Sequence, residues 1–172
     1  MKTHPSFLVV LLSAILCAGC ASSCRTVCGD LSDQFEPNDT VEQATALAFG
    51  SPIEAGSHYG NIDFYKISVE EPGTVTFKVD SRDADATNSL LEVRGPAGEL
   101  IYTDVCPSGQ LGCGPTLPAS KTKIRNDEET IIGYEIVVSA EALGDYSIQI
   151  QASGSDHTCK FSWEYTVAVT KD

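Results

Sequence analysis

The sequence predicts an all-β protein, built as an antiparallel sandwich of two sheets with seven or eight strands. Three observations lead to this prediction. Apolar and polar residues alternate in run after run, Gly, Pro, Asn and Asp bound the runs, and no long helical pattern separates them. Alternation with a period of two residues is typical of strands that bury one face, and short strands without intervening helices favour a sandwich.

The apolar side chains of each predicted strand share one face. Two further strands are expected at 99–103 and 131–139, with turns at Glu70–Gly73 and Gly95–Gly98, where Pro and Gly favour reversal of the chain. Only Val41–Leu47 suggests a helix, and it is short. In chain order the apolar faces comprise Tyr65, Ile67 and Val69; Val75, Phe77 and Val79; Leu91 and Val93; Tyr146, Ile148 and Ile150; and Phe161, Trp163, Tyr165, Val167 and Val169.

The composition describes one acidic globular domain. The chain has 172 residues, of which 42% are apolar, 8% aromatic and 20% charged. These values are ordinary for a folded domain and leave no room for a multidomain protein. Lys and Arg total 11 against 24 Asp and Glu, so the formal net charge is -13. We therefore expect no nucleic-acid partner, because binding a phosphate backbone requires a basic surface.

Residues 1–19 are predicted to be a lipoprotein signal peptide. Lys2 supplies a positive charge, and Phe7–Leu16 is a ten-residue apolar run. Such a run is typical of a secretory signal and is shorter than the roughly 20 residues of a transmembrane helix. Cys17–Cys20 then resembles a bacterial lipobox, although its first residue is usually Leu rather than Cys. The resemblance implies lipidation of Cys20, and cleavage nearby by ordinary signal peptidase is the alternative.

Lipidation would anchor the protein in the bacterial cell envelope. One acyl chain binds a membrane only marginally, whereas the several chains of a bacterial lipoprotein hold it stably. Ala21, rather than Asp, follows the lipidated cysteine, which favours sorting to the outer membrane. Residues 20–32 are polar and irregular and are predicted to tether the lipid to a folded domain at 33–172.

Five cysteines remain after the lipidated one, and export favours disulfide bonds among them. Cys106 and Cys113 flank a loop of six residues, and we predict that they pair. Cys24 and Cys28 either pair with each other, or one of them pairs with Cys159, and one thiol is left over in both cases. A zinc site is the alternative, but none of the five stands at the two-residue spacing of a zinc knuckle.

Five strings of the chain resemble, in order, the motifs of the bacterial pre-peptidase C-terminal domain family. The resemblance extends over about residues 33–170. It implies a jelly-roll-like β-sandwich, usually attached to secreted peptidases and other exported enzymes as a non-catalytic module. The strings are EPNDT at Glu36–Thr40, DFYKISV at Asp63–Val69, SLLEVRGPAGELI at Ser89–Ile101, LGDYSIQIQ at Leu143–Gln151 and EYTVAV at Glu164–Val169.

The same resemblance implies a calcium site. Collagen-binding members of the family hold calcium with an acidic N-terminal segment and with the Asp that precedes an aromatic pair. The matching residues here are Glu36, Asn38, Asp39 and Asp63, whose oxygens are the hard ligands that calcium prefers. Gln34 and Gly60 stand where such members carry further acids, which would weaken the site. The alternative is a simple turn in which Asn38 and Asp39 cap the short helix.

A second candidate site lies in Val105–Asn126, a long segment rich in turn residues. It carries three cations at alternate positions, Lys121, Lys123 and Arg125, in a chain that is otherwise acidic. Long segments without regular structure are often functional, so the three cations indicate a binding edge. They indicate equally well a charged strand edge that prevents association between sheets.

No catalytic arrangement is recognisable. Only His58 and His157 remain in the mature chain, and neither a GxSxG elbow nor an HExxH helix occurs. Ser155, Asp156 and His157 are adjacent, but neighbours on a turn rarely point at one another. The sequence therefore predicts a lipid-anchored, non-catalytic binding or accessory module of the envelope, with a protein or polysaccharide partner. A purely structural envelope lipoprotein and an unrecognised secreted hydrolase are the alternatives.

Overall fold

Strands make up most of the described chain. The structure is a computed structural model and describes residues 33–58, 61–81, 89–104, 119–152 and 162–172. A 3-10 helix at Val41–Gln43 precedes the first strand. The strands are β1 (Thr45–Ala46), β2 (Ile53–His58), β3 (Ile62–Val69), β4 (Gly73–Ser81), β5 (Ser89–Arg94), β6 (Leu100–Thr103), β7 (Ala119–Arg125), β8 (Ile131–Ala140), β9 (Gly144–Ala152) and β10 (Ser162–Lys171).

The strands form two sheets of five. Sheet I has the order β1-β3-β9-β5-β6, and sheet II has the order β2-β10-β4-β8-β7. Among the described strands all pairs are antiparallel except β1 with β3, which is parallel. Because the chain crosses repeatedly between the sheets, strands that are distant in sequence become neighbours, as β3 and β9 do. The prediction of an all-β, antiparallel two-sheet sandwich is confirmed.

The apolar faces of the two sheets form the core. In β3 every second residue from Asp63 to Val69 is buried, and β4 repeats the pattern from Val75 to Val79. Each buried apolar side chain of this size stabilises the fold by about 1.5–3 kcal/mol. The largest side chains with less than 2% exposure are Tyr65, Tyr165, Phe77, Leu91, Ile136, Ile148, Ile150, Val69, Val75, Val79, Val93 and Val138.

The predicted number of strands was too low, since the described residues contain ten. The additional strands lack the apolar alternation on which the prediction relied. In β2 the buried positions are the small residues Ala55 and Ser57. In β7 alternate positions carry the cations Lys121 and Lys123. The helix suggested at Val41–Leu47 is only a three-residue 3-10 helix, after which the chain enters β1.

Several predicted features lie outside the described residues. They are the signal peptide at 1–19, Cys20 and the tether at 20–32, the Cys106–Cys113 disulfide, and the remaining cysteines Cys24, Cys28 and Cys159. Within the described ranges, no helix is long and apolar enough to cross a membrane.

Candidate functional site

The segment Asp33–Asn38 lies against the start of β3 and the middle of β2. The segment is held at both ends, because the Phe64 N–H donates to the Asn38 backbone carbonyl (2.8 Å) and the Gly56 N–H donates to the side-chain Oδ2 of Asp33 (2.8 Å). Between these points the Phe35 ring packs edge-on against Tyr65, with 6.5 Å between ring centroids. The segment is therefore part of the packed domain.

This packing brings together four polar side chains, Glu36, Asn38, Asn61 and Asp63, which we call the Asp63 cluster. Asp63 occupies the first buried position of β3 and is 0% exposed. The Asn61 amide donates to Asp63 Oδ1 (2.8 Å) and to Glu36 Oε1 (3.1 Å), so it joins the two carboxylates. On the core side, the Tyr165 hydroxyl donates to Asp63 Oδ2 (2.8 Å).

The carboxylate of Asp63 is held in an unfavourable electrostatic environment. Burial raises the pKa of Asp63 to about 7, and the negative charges of Asp33 and Glu36 act in the same direction. The hydrogen bond from Tyr165 opposes this rise. The hydroxyl of Ser57 also faces the carboxylate and lowers its pKa, although Ser57 Oγ does not reach hydrogen-bonding geometry with any neighbour. The described hydrogen bonds to Asp63 come from neutral groups only.

Asn38 completes the cluster. Its side-chain amide can take two orientations, which present different atoms to the carboxylates of Asp63 and Glu36. The side chain is 0% exposed. With the amide nitrogen turned toward the carboxylates, it donates to Asp63 Oδ1 (3.2 Å) and Glu36 Oε2 (3.3 Å). With the amide oxygen turned that way, oxygens of three residues face one another, and either a cation between them or a proton on Asp63 would satisfy the arrangement. The donor set therefore fits a calcium ion as well as a metal-free hydrogen-bond network.

The structure places three of the four predicted calcium ligands together. Asp39 is exposed, and no described hydrogen bond joins it to the other three; Gln34 is also exposed. Across the described ranges, no group of three or more His, Cys, Asp and Glu side chains is arranged to hold a metal ion. Calcium binding accordingly stays a prediction. Sequence reasoning missed Asn61 and the Tyr165 hydroxyl, although the spacing of Asn61 two residues before Asp63 was available as a signal.

The three predicted binding cations lie on β7, which is one of the two edge strands of sheet II in the described structure. Lys121 Nζ is 2.6 Å from Asp104 Oδ2, and both side chains are only 16% exposed. The same ammonium group lies 3.8 Å from the centre of the Tyr134 ring. Burial lowers the pKa of Lys121, and the contact with Asp104 opposes that effect. Lys121 is thus part of the packing, whereas Lys123 and Arg125 are exposed at the edge.

A cleft on the outer face of sheet I was not predicted from the sequence. Its volume is about 440 Å³, and its floor is formed by outward-pointing residues of β3, β9 and β5. Val41 of the 3-10 helix and the turn Gly95–Gly98 contribute its walls. We call this region the outer cleft. Its main side chains are Phe64, Lys66, Glu92, Arg94, Asp145 and Gln149.

The fold and these two regions define a β-sandwich protein with a buried acidic cluster and an open polar cleft. No family model matches the sequence, and no curated protein matches it. Among solved structures, the chain is similar to the pre-peptidase C-terminal domain of collagenase from Bacillus anthracis, at 12% identity and a TM-score of 0.48, over 74% of this chain and 94% of that one. Membership of the family that the sequence resembles stays a prediction.

Other structural neighbours are periplasmic inhibitors of g-type lysozyme. The inhibitor PliG from Aeromonas hydrophila aligns at 14% identity and a TM-score of 0.45, over 75% of this chain and 96% of that one. PliG from Salmonella Typhimurium aligns at 10% identity and a TM-score of 0.42, over 75% and 98%.

Proposed function

We propose that this protein is a lipid-anchored, non-catalytic binding module of the bacterial cell envelope, whose N-terminal segment is fixed to the sandwich by calcium. The anchor would be Cys20 in the outer membrane. The observation that supports the calcium most directly is the grouping of the Glu36 carboxylate and the Asn38 amide around the fully buried carboxylate of Asp63. The non-catalytic role is supported by the sequence, in which no catalytic motif is recognisable.

A bound calcium ion would relieve the electrostatic cost of the cluster. Burying a carboxylate is unfavourable unless it is paired, and pairing with a cation or coordination of a metal removes much of that cost. Glu36, Asn38 and Asp63 would supply oxygens to the ion, and the ion would supply the positive charge that Asp63 lacks among its described partners. Tyr165 would keep its hydrogen bond to Oδ2, because that bond lies on the core side.

Thermal unfolding of the purified full chain in detergent tests the calcium. Unfolding is followed first in EGTA and then in millimolar calcium. A ligand that binds only the native state adds RT ln(1 + [L]/Kd), so a micromolar site at a thousandfold excess adds about 4 kcal/mol. Glu36→Ala should abolish the rise, whereas Glu128→Ala, which removes an exposed acid from a turn, should retain it. An equal melting temperature in both solutions would reject the calcium.

Metabolic labelling with palmitate tests the anchor. We expect the wild-type chain to incorporate the label and to sediment with outer membranes. Cys20→Ala should lose both properties, because it removes the acceptor thiol. Cys24→Ala is the matched control, since it removes a neighbouring cysteine and should leave labelling intact. An unlabelled wild-type chain in the soluble periplasmic fraction would contradict lipid anchoring.

A further inference from the structure

We propose that the outer cleft binds an uncharged oligosaccharide, with Phe64 as the stacking surface and Gln149, Glu92 and Arg94 as hydrogen-bonding groups. The inference rests on the proposed function of a binding module and names the chemical class of its ligand. It concerns the outer face of sheet I, whereas the Asp63 cluster lies on the inner side of the same sheet.

The register of sheet I arranges the cleft side chains in two rows. Phe64 on β3 pairs with Gln149 on β9, which pairs with Glu92 on β5. In the next row Lys66 and Arg94 flank Ser147 in the same way. Neighbouring strands are about 4.8 Å apart, and residues two apart along a strand are separated by about 6.6 Å. The floor is therefore a regular array of hydrogen-bonding groups with one aromatic ring at its corner.

The charges of this array balance. Lys66 Nζ is 3.8 Å from Asp145 Oδ2, and Arg94 Nε is 2.7 Å from Glu92 Oε1. Two cations and two acids thus share the cleft, in a chain whose net charge is -13. Neither an anionic nor a cationic ligand gains a net attraction here. Sugar hydroxyls both donate and accept hydrogen bonds, so they can use adjacent donors and acceptors of this kind.

Apolar surface is present where a sugar ring would need it. Phe64 lines the floor of the cleft and is half-buried, and Val41 at its wall is 43% exposed. The opposite wall contains Pro96 and is braced by Arg94, whose Nη1 donates to the Gly98 carbonyl (3.0 Å). The volume of about 440 Å³ falls within the usual range of small-ligand sites.

The sheet geometry disfavours a peptide that binds by adding a strand. Such binding requires an unpaired strand edge. The strands that carry the cleft floor are β3, β9 and β5, and each has a neighbour on both sides in sheet I. At the β3 edge of the cleft floor, the Phe64 N–H donates to the Asn38 carbonyl and the Lys66 carbonyl accepts from the Leu47 N–H, so a ligand in the cleft meets side chains. This favours a ligand with many small polar groups over an extended polypeptide.

Affinity electrophoresis of the purified full chain tests the proposal. Gels contain dextran, β-glucan or galactomannan as neutral polysaccharides, and alginate as a charged one. We expect at least one neutral polysaccharide to retard the protein and alginate to have no such effect. Phe64→Ala should weaken retardation at least tenfold. Phe49→Ala, which removes an exposed aromatic ring outside the cleft lining, should leave it unchanged.

Two further variants test the sugar site if Phe64→Ala does not fold, and one further measurement separates this proposal from the calcium proposal. Phe64→Leu retains apolar volume without the aromatic face, and Gln149→Ala removes one polar group, so both provide a test if Phe64→Ala does not fold. Failure of every neutral polysaccharide, or equal binding by the Phe64 and Phe49 variants, would overturn the inference. The calcium-dependent rise in melting temperature, measured on the same samples, reports separately on the proposed function. Retardation without that rise would reject the calcium and leave the sugar site in place.

Discussion

Asp63 and Asp104 are two largely buried carboxylates that differ in the charge of their partners. Each accepts a hydrogen bond from a tyrosine hydroxyl, Tyr165 for Asp63 and Tyr102 for Asp104. Asp104 is also paired with the ammonium group of Lys121. The described hydrogen-bond donors to Asp63 are all neutral, and its pKa is raised to about 7.

The comparison shows that the fold itself supplies the cation that pairs with Asp104. A cation that pairs with Asp63 would have to be bound from solution. A buried charge is stable when it is paired and costly when it is left alone. At Asp104 the partner cation is Lys121 of the same domain. The stability of the fold is therefore enough to explain why this carboxylate is buried. At Asp63 the positive charge is absent from the described surroundings, which is why we place the proposed calcium ion there.

Replacing Asp63 should have the largest effect, and the size of that effect should depend on calcium. Asp63→Asn removes the buried negative charge and keeps the shape of the side chain. In EGTA we expect a change in unfolding free energy of about 1 kcal/mol or less. In millimolar calcium the variant should lack the gain of about 4 kcal/mol expected for the wild type. Denaturant titrations in both solutions measure this, and an equal calcium gain in the variant would contradict the role of Asp63.

Replacing Lys121 should destabilise the protein with or without calcium. Lys121→Met leaves Asp104 buried and unpaired, and breaking such a pair costs about 3 kcal/mol. Adding Asp104→Asn to this variant should recover part of the loss, because the uncompensated charge is removed. Urea unfolding of the wild type, both single variants and the double variant measures the coupling. Additive effects of the two substitutions would show that the pair is not coupled.

Tyr165→Phe should have an intermediate effect. It removes the hydroxyl that donates to Asp63 and lies 2.7 Å from the Tyr65 hydroxyl, and leaving buried partners unsatisfied costs about 1–3 kcal/mol. Tyr146→Phe is the matched control, because its hydroxyl donates to the Ala142 carbonyl next to a surface turn. We expect a loss below about 1 kcal/mol for this control. Equal losses in the two variants would indicate that burial of the Asp63 cluster adds nothing.

Lys123→Met should have the smallest effect on stability. Lys123 lies two residues from Lys121 on the same strand but is exposed, and exposed substitutions usually change stability by less than about 0.5 kcal/mol. If the edge charge of β7 prevents association between sheets, the variant should aggregate at lower concentration than the wild type. Light scattering over a concentration series measures this. If light scattering is unchanged and the variant no longer retains a partner that the wild type retains in pull-downs, the β7 edge is instead a binding edge.

The sequence could predict the sandwich because its core strands alternate strictly. The spacing of Leu91 and Val93, or of Tyr146 and Ile148, is enough to identify an inward face. Alternation gave no signal where inward positions are small or charged, as in β2 and β7. In β2 the buried residues are Ala55 and Ser57, which carry too little apolar surface to identify a strand.

The candidate sites were less predictable than the fold. The resemblance to a known family indicated Glu36, Asn38, Asp39 and Asp63, and the structure places all of these together except Asp39. The outer cleft could not be predicted, because it depends on β9 lying between β3 and β5. Nothing in the local sequence brings Phe64 beside Gln149, since they are joined only by pairing of strands that are distant along the chain.

The docking of Asp33–Asn38 has a mechanical consequence. This segment is the point at which the chain coming from the N-terminus first contacts the sandwich in the described structure. A pull on the preceding residues would therefore reach the bonds of Asp33 with Gly56 and of Asn38 with Phe64 before it reaches the core strands. The calcium ion that we propose between Glu36, Asn38 and Asp63 would join this segment to β3, and it would raise the force at which this end of the domain peels open.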